Sequence, residues 1–461
     1  MKHLSRIRFY FVLASTLTLF SGSAFGAFFQ VQESSPRGAG NANAGGAAVA
    51  EDASTVWYNP AGLTRLEGRQ LVVGGHLILP STNFDNQGST TTALLGPASG
   101  PLTGGDGGDA GDDALVPNLY YARPINDDLT FGIGLNVPFG LRTEYDDGWV
   151  GRYHALESEV KTININPGVG YQLTDQVSIG GGINVQIVDA TLSQALDFGS
   201  ICFLTQPLPV CSTLGLAPQA NDGEAEVEAD DTGYGYNIGV LFKLNDRTRI
   251  GVAHRSVIRL ELEGDSDVTT RDPGSATLAA GAGIVNADVE ADVTFPATTS
   301  ISVHHQVNSQ WAVMGDATQT RWGRLPELRI KFESSQPDTV NTFDLDDVWR
   351  YSFGATYMRN SRLTYRFGIA FDESPTPNAE VRSARLPDED RTWLTFGVDY
   401  KKNDRLNFDF SYVFVAIDDA DINKNANSAT GEDLFRGNLV GEYDADTSIL
   451  AGQVNWKFQT R

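Results

Sequence analysis

The sequence predicts an all-β protein: a 14-stranded antiparallel transmembrane β-barrel with an N-terminal hatch inside its lumen. Three observations lead to this prediction. Apolar and polar residues alternate with a period of two in many runs after Gly68, as in strands with one apolar face. The polar side of these runs is mostly Gly, Ser, Thr and Asn. The connections between the runs alternate between long and short, which is the plan of a membrane barrel.

The chain starts with a pattern typical of export. A basic start precedes an apolar run of 12 residues, Phe9 to Phe20, and the A-x-A-like site Ala24-Phe25-Gly26 follows. Such a run is too short to cross a bilayer as a helix and matches a secretory signal peptide. We predict a signal peptide over residues 1–26. No later segment has the roughly 18 consecutive apolar residues of a transmembrane helix.

The composition narrows the function classes. The net charge of −24 and the pI of about 4.5 argue against a nucleic-acid partner, because phosphates require a basic face. No H-E-x-x-H, G-x-S-x-G or Walker A sequence occurs, so we predict no enzyme, no cofactor and no metal site. An active site assembled from distant residues stays open. Cys202 and Cys211 suit one disulfide of an exported protein, with two reduced thiols as the alternative.

Residues 27–68 show neither a strand nor a helix period and are rich in Gly, Ala, Ser and Asn. A stretch of this length is either a disordered linker or a functional segment held by other parts of the chain. Its four aromatics and the turn signal Asn59-Pro60-Ala61-Gly62 favour the second reading. We predict a hatch over residues 27–68, enclosed by a barrel over residues 69–461.

The barrel prediction rests on 14 candidate strands. Leu363 to Phe371 and Asn407 to Phe414 alternate most regularly, and their small polar sides suit a lumen while their apolar sides suit lipid. Short connections separate six pairs of strands, so we place these connections and both termini in the periplasm. The predicted strands are 69–82, 116–124, 129–143, 159–173, 177–194, 233–244, 248–262, 292–307, 310–332, 348–359, 362–371, 391–401, 405–416 and 444–458.

The long connections carry many of the acidic residues. Segments 83–115 and 195–232 contain no Lys or Arg, and the second ends in an acidic run from Asp222 to Asp231. We interpret these segments as solvated loops that contact lipopolysaccharide through bridging divalent ions. The alternative is a dedicated calcium site, although the spacing shows no D-x-D-x-D-G loop.

The third predicted strand contains its own interruption. Val137-Pro138-Phe139-Gly140 lies within it, and there Pro removes a ladder donor while Gly weakens the pairing. The pattern predicts either an ordinary bulge or a gap in the wall.

Several motifs together resemble the FadL family of long-chain fatty acid transporters. The turn Asn59-Pro60-Ala61, the segment Val116 to Asp127 and the run Ala253-His254-Arg255-Ser256 are similar to its hatch and its early and middle strands. Gly368 to Pro377, with Leu386 to Trp393, resembles its clearest downstream signature. The resemblance covers essentially the whole mature chain.

The resemblance implies a mode of action. Hydrophobic substrates are caught by outer loops, pass to a site inside the barrel and leave sideways into the membrane at a kink in the third strand. It assigns this lateral gap to Val137, Pro138, Phe139 and Gly140 and puts the hatch turn nearby. It also matches Phe29 to an aromatic of the hatch N-terminus, which closes the inner site.

Outer capture requires exposed apolar surface, which an external loop supplies. Ile201, Phe203, Leu204 and Leu208 are the candidates, and a disulfide between Cys202 and Cys211 would stiffen one wall of the groove. Apolar loop tips also pack on one another, which is the structural alternative.

A fatty acid carboxylate in the lumen requires a cation. Strand parity places Arg255, Arg259, Arg350 and Arg366 on the lumen side, and arginine suits bidentate contact with a carboxylate. Alternatively, these arginines pair with lumen acids such as Glu261 or Asp399, or hold the hatch. Arg255 is the leading candidate for the carboxylate.

We therefore expect a monomer in the outer membrane of a Gram-negative bacterium that passes long-chain fatty acids by passive diffusion. The expected partners are a fatty acid or other hydrophobic small molecule, outer-membrane lipid and lipopolysaccharide. Uptake of aromatic or alkane hydrocarbons by the same architecture is the first alternative. A structural or adhesive barrel that uses its acidic loops is the second.

Overall fold

The computed structural model describes residues 28–428 and 430–458, so the predicted signal peptide lies outside the described residues. Twenty strand segments are joined in one sheet. Interrupted segments combine into single wall strands, and the result is the closed 14-stranded antiparallel barrel that the sequence predicts. The segments are β1 Arg69–Asn86, β2 Ala114–Pro124, β3 Leu129–Asn136, β4 Gly140–Glu144, β5 Glu157–Thr174, β6 Val177–Asp197, β7 Asp222–Lys243, β8 Thr248–Arg255, β9 Ile258–Thr269, β10 Ala287–Phe295, β11 Thr298–Gln306, β12 Trp311–Arg321, β13 Glu327–Phe332, β14 Thr339–Thr342, β15 Asp347–Met358, β16 Leu363–Asp372, β17 Arg391–Asn403, β18 Leu406–Ile417, β19 Ala420–Asn423 and β20 Val440–Phe458.

The first and last strands close the barrel. β1 pairs with β2 along one edge and with β20 along the other, from Arg69 opposite Phe458 to Asn86 opposite Gly441. Closure satisfies the backbone groups that lipid cannot. Short connections join β2 to β3, β5 to β6, β7 to β8, β11 to β12, β15 to β16 and β17 to β18. They lie at one end of the barrel, the short-turn end, and the long connections lie at the opposite, long-loop end.

The polarity of the two faces inverts along β7. Near the short-turn end, Tyr234 and Ile238 are exposed on the outer face while Asn237 is buried inside. Nearer the long loops, Glu228 is exposed outside and Val227 lines an internal cavity. The prediction that the acidic run 222–231 belongs to a loop is therefore wrong. The run alternates acids with small or apolar residues, which suits a wall that continues beyond the lipid.

Short helices occupy the long-loop end. They span Phe198–Thr205, Leu208–Leu214 and Pro273–Ala282, with kinked 3-10 structure at Ala93–Ala98 and a single 3-10 turn at Trp322–Arg324. A disulfide between Cys202 and Cys211 joins the first two helices. No helix in the described parts of the chain is both long and apolar enough to cross a membrane.

Residues 28–68 pack against the inward faces of the wall. Their helices span Pro36–Ala39, Gly46–Val49 and Thr55–Tyr58, and a 3-10 helix spans Pro60–Arg65. Glycines in the wall allow this close contact. A Cβ on Gly180 would lie 2.3 Å from the Ala61 nitrogen, and one on Gly239 would lie 2.1 Å from Asn59 Oδ1. The chain therefore fills the lumen where the wall lacks side chains.

Candidate functional site

An almost entirely apolar cavity lies in the long-loop half of the barrel. It contains about 920 Å³ of space not occupied by protein atoms, part of which is open solvent. Its walls come mainly from β6, β7, β10 and β13, through residues such as Val188, Val293 and Ile330. Among the described lining residues, only Ser383 and Arg385 have polar side chains.

Arg385 brings a buried cation to the edge of this apolar cavity. Its guanidinium donates to the carbonyls of Glu157 and Ser193 and to the side chains of Ser158 and Gln194, at 3.0–3.1 Å. Its Nε has no hydrogen-bond partner, and it forms no ion pair with the described residues. Burial lowers its pKa to about 9. A bound carboxylate would oppose that loss of charge.

Six aromatic residues pack together between the apolar cavity and a second, polar one. Phe28, Phe29, Phe295 and Phe343 line the apolar cavity, and Phe139 lines the polar one. We call this layer, formed by Phe28, Phe29, Phe139, Phe295, Trp322 and Phe343, the aromatic partition. The ring centroid of Phe29 lies 4.9 Å from that of Trp322 and 5.5 Å from that of Phe295. Phe139 lies 4.4 Å from Phe295. Such pairs contribute about 0.5–1.5 kcal/mol each beyond burial.

The second cavity, the polar chamber, lies on the Phe139 side of the partition and contains about 800 Å³ of space not occupied by protein atoms, part of which is open solvent. Gln30, Gln32 and Tyr58 line it from the N-terminal part of the chain. The wall contributes Arg255, Asp316 and Arg350, and Pro138 and Phe139 form another side. The two cavities thus differ sharply in polarity although they are neighbours.

The third wall strand is interrupted at Val137, Pro138 and Phe139, between β3 and β4. β2 pairs with β3 only from Leu119 to Pro124, and β4 pairs with β5 on its other side. Residues 137–141 consequently have no wall strand hydrogen-bonded to them on the side of residues 114–118. We call this place the strand gap.

Residues 28–34, the N-terminal segment, run along the strand gap. The Gly140 N–H donates to the Phe29 carbonyl at 3.0 Å, and the Val31 N–H donates to the Pro138 carbonyl at 2.9 Å. Phe28 has a left-handed φ of 56°, a strained conformation for a bulky residue. Glu33 is buried, and one of its carboxylate oxygens has no partner.

Residues 35–68, the anchored part, are tied to the wall by buried ion pairs. Arg37 donates from Nε and Nη2 to the two carboxylate oxygens of Asp409, at 2.9 and 3.0 Å. It also lies 3.3 Å from Asp399. Arg366 donates to Glu51 at 2.8 Å.

The turn Asn59-Pro60-Ala61 belongs to the anchored part. Asn59 Nδ2 donates to the carbonyls of Ala47 and Val240, at 2.7 and 3.1 Å, and its Oδ1 accepts the Ala61 N–H at 3.0 Å. Asn59 therefore caps its own turn and ties it to β7 at the same time.

Three of the four predicted lumen arginines face the lumen, and each one holds the N-terminal part of the chain. Arg366 contacts Glu51, and Arg350 donates to the Ala42 carbonyl at 3.0 Å. Arg255 donates to the Trp57 carbonyl at 2.6 Å and lies over its ring.

The fourth arginine, Arg259, is exposed on the outer face, so its predicted lumen position is wrong, as is that of Glu261. The reason is a register shift. β7 pairs Asn237 with Arg255 but Asp230 with Glu263, so one extra residue enters between β8 and β9. A one-residue slip exchanges the two faces of a strand.

The outer capture candidates divide between the interior and the surface of the helices at the long-loop end. Ile201 is buried, and Phe203 and Leu204 are partly buried. Leu208 is 58% exposed and Leu94, from a neighbouring loop, is 67% exposed. Apolar surface therefore exists at this end, but Ile201 packs in the helix core.

Sequence reasoning missed Arg385 and the apolar cavity. Arg385 lies in a connection without periodicity, and its place directly before the segment Leu386 to Trp393 is the one signal that could have drawn attention to it. Within the described residues, no group of His, Cys, Asp and Glu side chains is arranged to hold a metal ion.

Comparisons with known proteins agree with this architecture. The family model described as "Outer membrane protein transport protein (OMPP1/FadL/TodX)" matches residues 17–458. Outer membrane protein P1 of Haemophilus influenzae is 30% identical over 421 residues, 88% of this chain and 89% of that protein. A long-chain fatty acid transport protein of Escherichia coli O6:H1 is 29% identical over 408 residues, 86% of this chain and 88% of that protein.

Solved structures share the fold. The crystal structure of a Pseudomonas aeruginosa FadL homologue has a TM-score of 0.81 at 24% identity and covers 94% of this chain and 100% of that one. The toluene transporter TodX of Pseudomonas putida has a TM-score of 0.68 at 18% identity and covers 95% and 100%. The chain therefore belongs to the OMPP1/FadL/TodX family and is an outer-membrane transport protein.

Proposed function

We propose that the protein transports long-chain fatty acids across the outer membrane by passive diffusion. The observation that carries this proposal is an apolar cavity bordered by one buried cation without an acidic partner, Arg385. A fatty acid complements both features, because its chain suits the apolar walls and its carboxylate suits the guanidinium. Each buried CH₂ group contributes about 0.8 kcal/mol.

The exposed Leu208 and Leu94 supply a first contact at the long-loop end in this proposal. From the apolar cavity, the molecule passes the aromatic partition and leaves sideways through the strand gap. The small number of contacts that would have to break supports the lateral step. Only two backbone hydrogen bonds join residues 29–31 to the gap edge, and the rest of that contact is apolar packing by Phe29 and Val31.

Neutral hydrocarbons are the second candidate class. Apart from Ser383 and Arg385 the described cavity lining is apolar, so a molecule such as toluene finds suitable walls without using the cation. A toluene transporter also shares the fold. The two candidates differ in whether the charge of Arg385 matters for uptake.

Replacing Arg385 by Gln tests the distinction. In a host without its own fatty acid transporter, we expect the wild-type protein to restore oleate uptake. The variant should lower it about tenfold, the loss of a charged hydrogen bond. Arg385→Lys should recover part of the uptake. Arg329→Gln should change nothing, because this half-exposed arginine of the long-loop end pairs, within the described residues, only with the half-exposed acids Glu327 and Asp338.

The outcomes separate the candidates. Uptake of toluene without uptake of oleate would favour the hydrocarbon class. Oleate uptake that is unaffected by Arg385→Gln would remove the assigned role of this residue. Uptake of neither molecule by the wild-type protein would contradict both transport proposals.

A further inference from the structure

The polar chamber contains a cation that no acid balances. Arg255 donates to Asn184 Oδ1 at 2.5 Å and to the Trp57 carbonyl at 2.6 Å. Its guanidinium carbon lies 3.3 Å from the centroid of the Trp57 ring. It forms no ion pair with any residue that the structure describes. A guanidinium has five N–H donors, so these neutral partners leave hydrogen-bonding capacity for a ligand.

The acid that shares the chamber is occupied elsewhere. Asp316 accepts hydrogen bonds from Ser302 Oγ and from Thr318 Oγ1, the second at 2.7 Å. The other arginine of the chamber, Arg350, donates to the Ala42 carbonyl and lies 3.9 Å from Asp372. Arg255 is therefore the chamber cation with the least acidic surroundings.

The location of the chamber relates Arg255 to the strand gap. Pro138 and Phe139, which interrupt the third wall strand, line the chamber together with Gln30 and Gln32 of the N-terminal segment. A molecule that crosses the aromatic partition towards the gap enters this space. A carboxylate that enters this space gives up part of its hydration, and a cation compensates a buried negative charge more fully than the neutral amides and hydroxyls of the lining do.

We propose that Arg255 is a second carboxylate-binding station, which holds the head group of an anionic amphiphile between Arg385 and the strand gap. This proposal rests on the proposed function and makes it more specific, because it requires an anionic substrate at two places. Neutral molecules of the same chain length gain nothing from Arg255. The residue therefore selects for anions at the step that precedes lateral exit.

The proposed station can be tested by comparing the uptake of two substrates with the same hydrocarbon chain, one charged and one neutral. In Arg255→Gln we expect oleate uptake to fall about tenfold, while oleyl alcohol uptake changes by less than about twofold. Arg255→Lys, which keeps the charge, should recover oleate uptake. Equal losses of uptake for both substrates would mean that Arg255 only anchors Trp57, which would contradict the proposal. Unchanged oleate uptake would also overturn it.

Arg249 offers a matched control. It also faces the lumen and donates to hatch carbonyls, those of Ala48 and Val49 at 3.0 Å, but it does not line the polar chamber. Arg249→Gln should therefore leave the ratio of oleate to oleyl alcohol uptake unchanged. A shift in this ratio as large as that of Arg255→Gln would show a general effect of loosening the hatch.

Equilibrium binding tests Arg255 independently of transport. Calorimetry with decanoate on the purified protein in nanodiscs, with empty nanodiscs as the blank, should detect two carboxylate sites. Arg255→Gln and Arg385→Gln should each remove one of them. If the wild-type protein takes up no oleate, this measurement still decides the role of Arg255. A stoichiometry unchanged by Arg255→Gln would overturn the proposal.

Discussion

The anchored part and the N-terminal segment are adjacent in sequence, yet different kinds of interaction hold them in the lumen. Arg37 and Arg366 tie the anchored part to acids through buried ion pairs. Residues 28–34 form no ion pair with the described residues and depend on aromatic packing and a few hydrogen bonds. Phe28 is also strained. Removing one partner of a buried ion pair costs about 3–5 kcal/mol, more than most single neutral contacts.

The difference teaches how a plugged barrel can pass a substrate. The anchored part need not leave the lumen, because the strand gap is covered by the weakly held segment. In the proposed lateral route, release of a few residues would open a way to lipid while the axial pore stays blocked. Polar solutes would then remain excluded during transport of a hydrophobic molecule.

The largest expected effect comes from immobilising the N-terminal segment. Gln30 and Phe139 form an antiparallel bridge across the strand gap, flanked by hydrogen bonds that make it a closely spaced pair. A disulfide in the double variant Gln30→Cys/Phe139→Cys should abolish oleate uptake. Reduction of the same protein should restore uptake to the level of the Phe139→Cys single variant.

A second cross-link provides the comparison. Thr64 Oγ1 lies 2.8 Å from Ser178 Oγ, so Thr64→Cys/Ser178→Cys joins the anchored part to the wall. Oxidation of this variant should not alter uptake. If both cross-links block uptake equally, the hatch moves as one unit and the distinction between its two parts is wrong.

The next largest effect is expected from removing Arg37, which ties the anchored part to wall acids. Arg37→Ala leaves Asp409 and Asp52 buried without their shared cation, so we expect a loss of about 3–5 kcal/mol in the free energy of unfolding. Vancomycin sensitivity of cells should rise as the plug loosens. Arg329→Ala, at a half-exposed arginine whose ion pairs with Glu327 and Asp338 are open to solvent, should lower the free energy of unfolding far less than Arg37→Ala does. Normal stability and exclusion in Arg37→Ala would contradict the anchoring role.

A smaller effect is expected where the wall approaches the turn Asn59-Pro60-Ala61. The Cβ added by Gly239→Ala would lie 2.1 Å from Asn59 Oδ1. Such overpacking lowers the free energy of unfolding by about 1–3 kcal/mol. Gly315→Ala is the matched change, because its nearest neighbours lie 3.8 Å away. Urea unfolding should separate the two variants. Equal stabilities would mean that the turn adapts.

The smallest effect is a pH dependence confined to the N-terminal segment. Burial raises the pKa of Glu33 from 4.5 to about 7. The seated segment is therefore most stable below about pH 4.5, and this contribution is lost as the pH rises through about 7. Uptake of oleyl alcohol, which does not ionise, should increase severalfold from about pH 5 to about pH 8.

The Glu33→Gln variant and the low pKa of Glu51 serve as two controls for this pH effect. Glu33→Gln should show no such dependence. Burial opposes the charge of Glu51, but Arg366 and Arg37 lower its pKa to about 2. Its contribution is lost only as the pH falls from about 4.5 towards 2, outside the range tested. A rise that persists in Glu33→Gln would assign the pH effect to another group.

The sequence predicted the wall more reliably than the site. Alternation predicted the strands, and Pro138 predicted the interruption of the third strand, because both signals are local. Parity failed at Arg259, since the one-residue shift between β8 and β9 leaves no mark in the alternation itself. The acidic run 222–231 was misread because a strand that leaves the lipid exchanges the polarity of its faces.

By itself, the sequence determined a closed barrel with a small-residue lumen, because each strand meets lipid on one face and a lumen on the other. Only the tertiary structure decided which arginines lack acidic partners. Arg37 meets Asp409 across 372 positions of the chain, while Arg385 and Arg255 meet carbonyls and amides. Whether an opposite charge compensates a buried arginine depends on neighbours that are distant in sequence. A local sequence pattern does not indicate these neighbours.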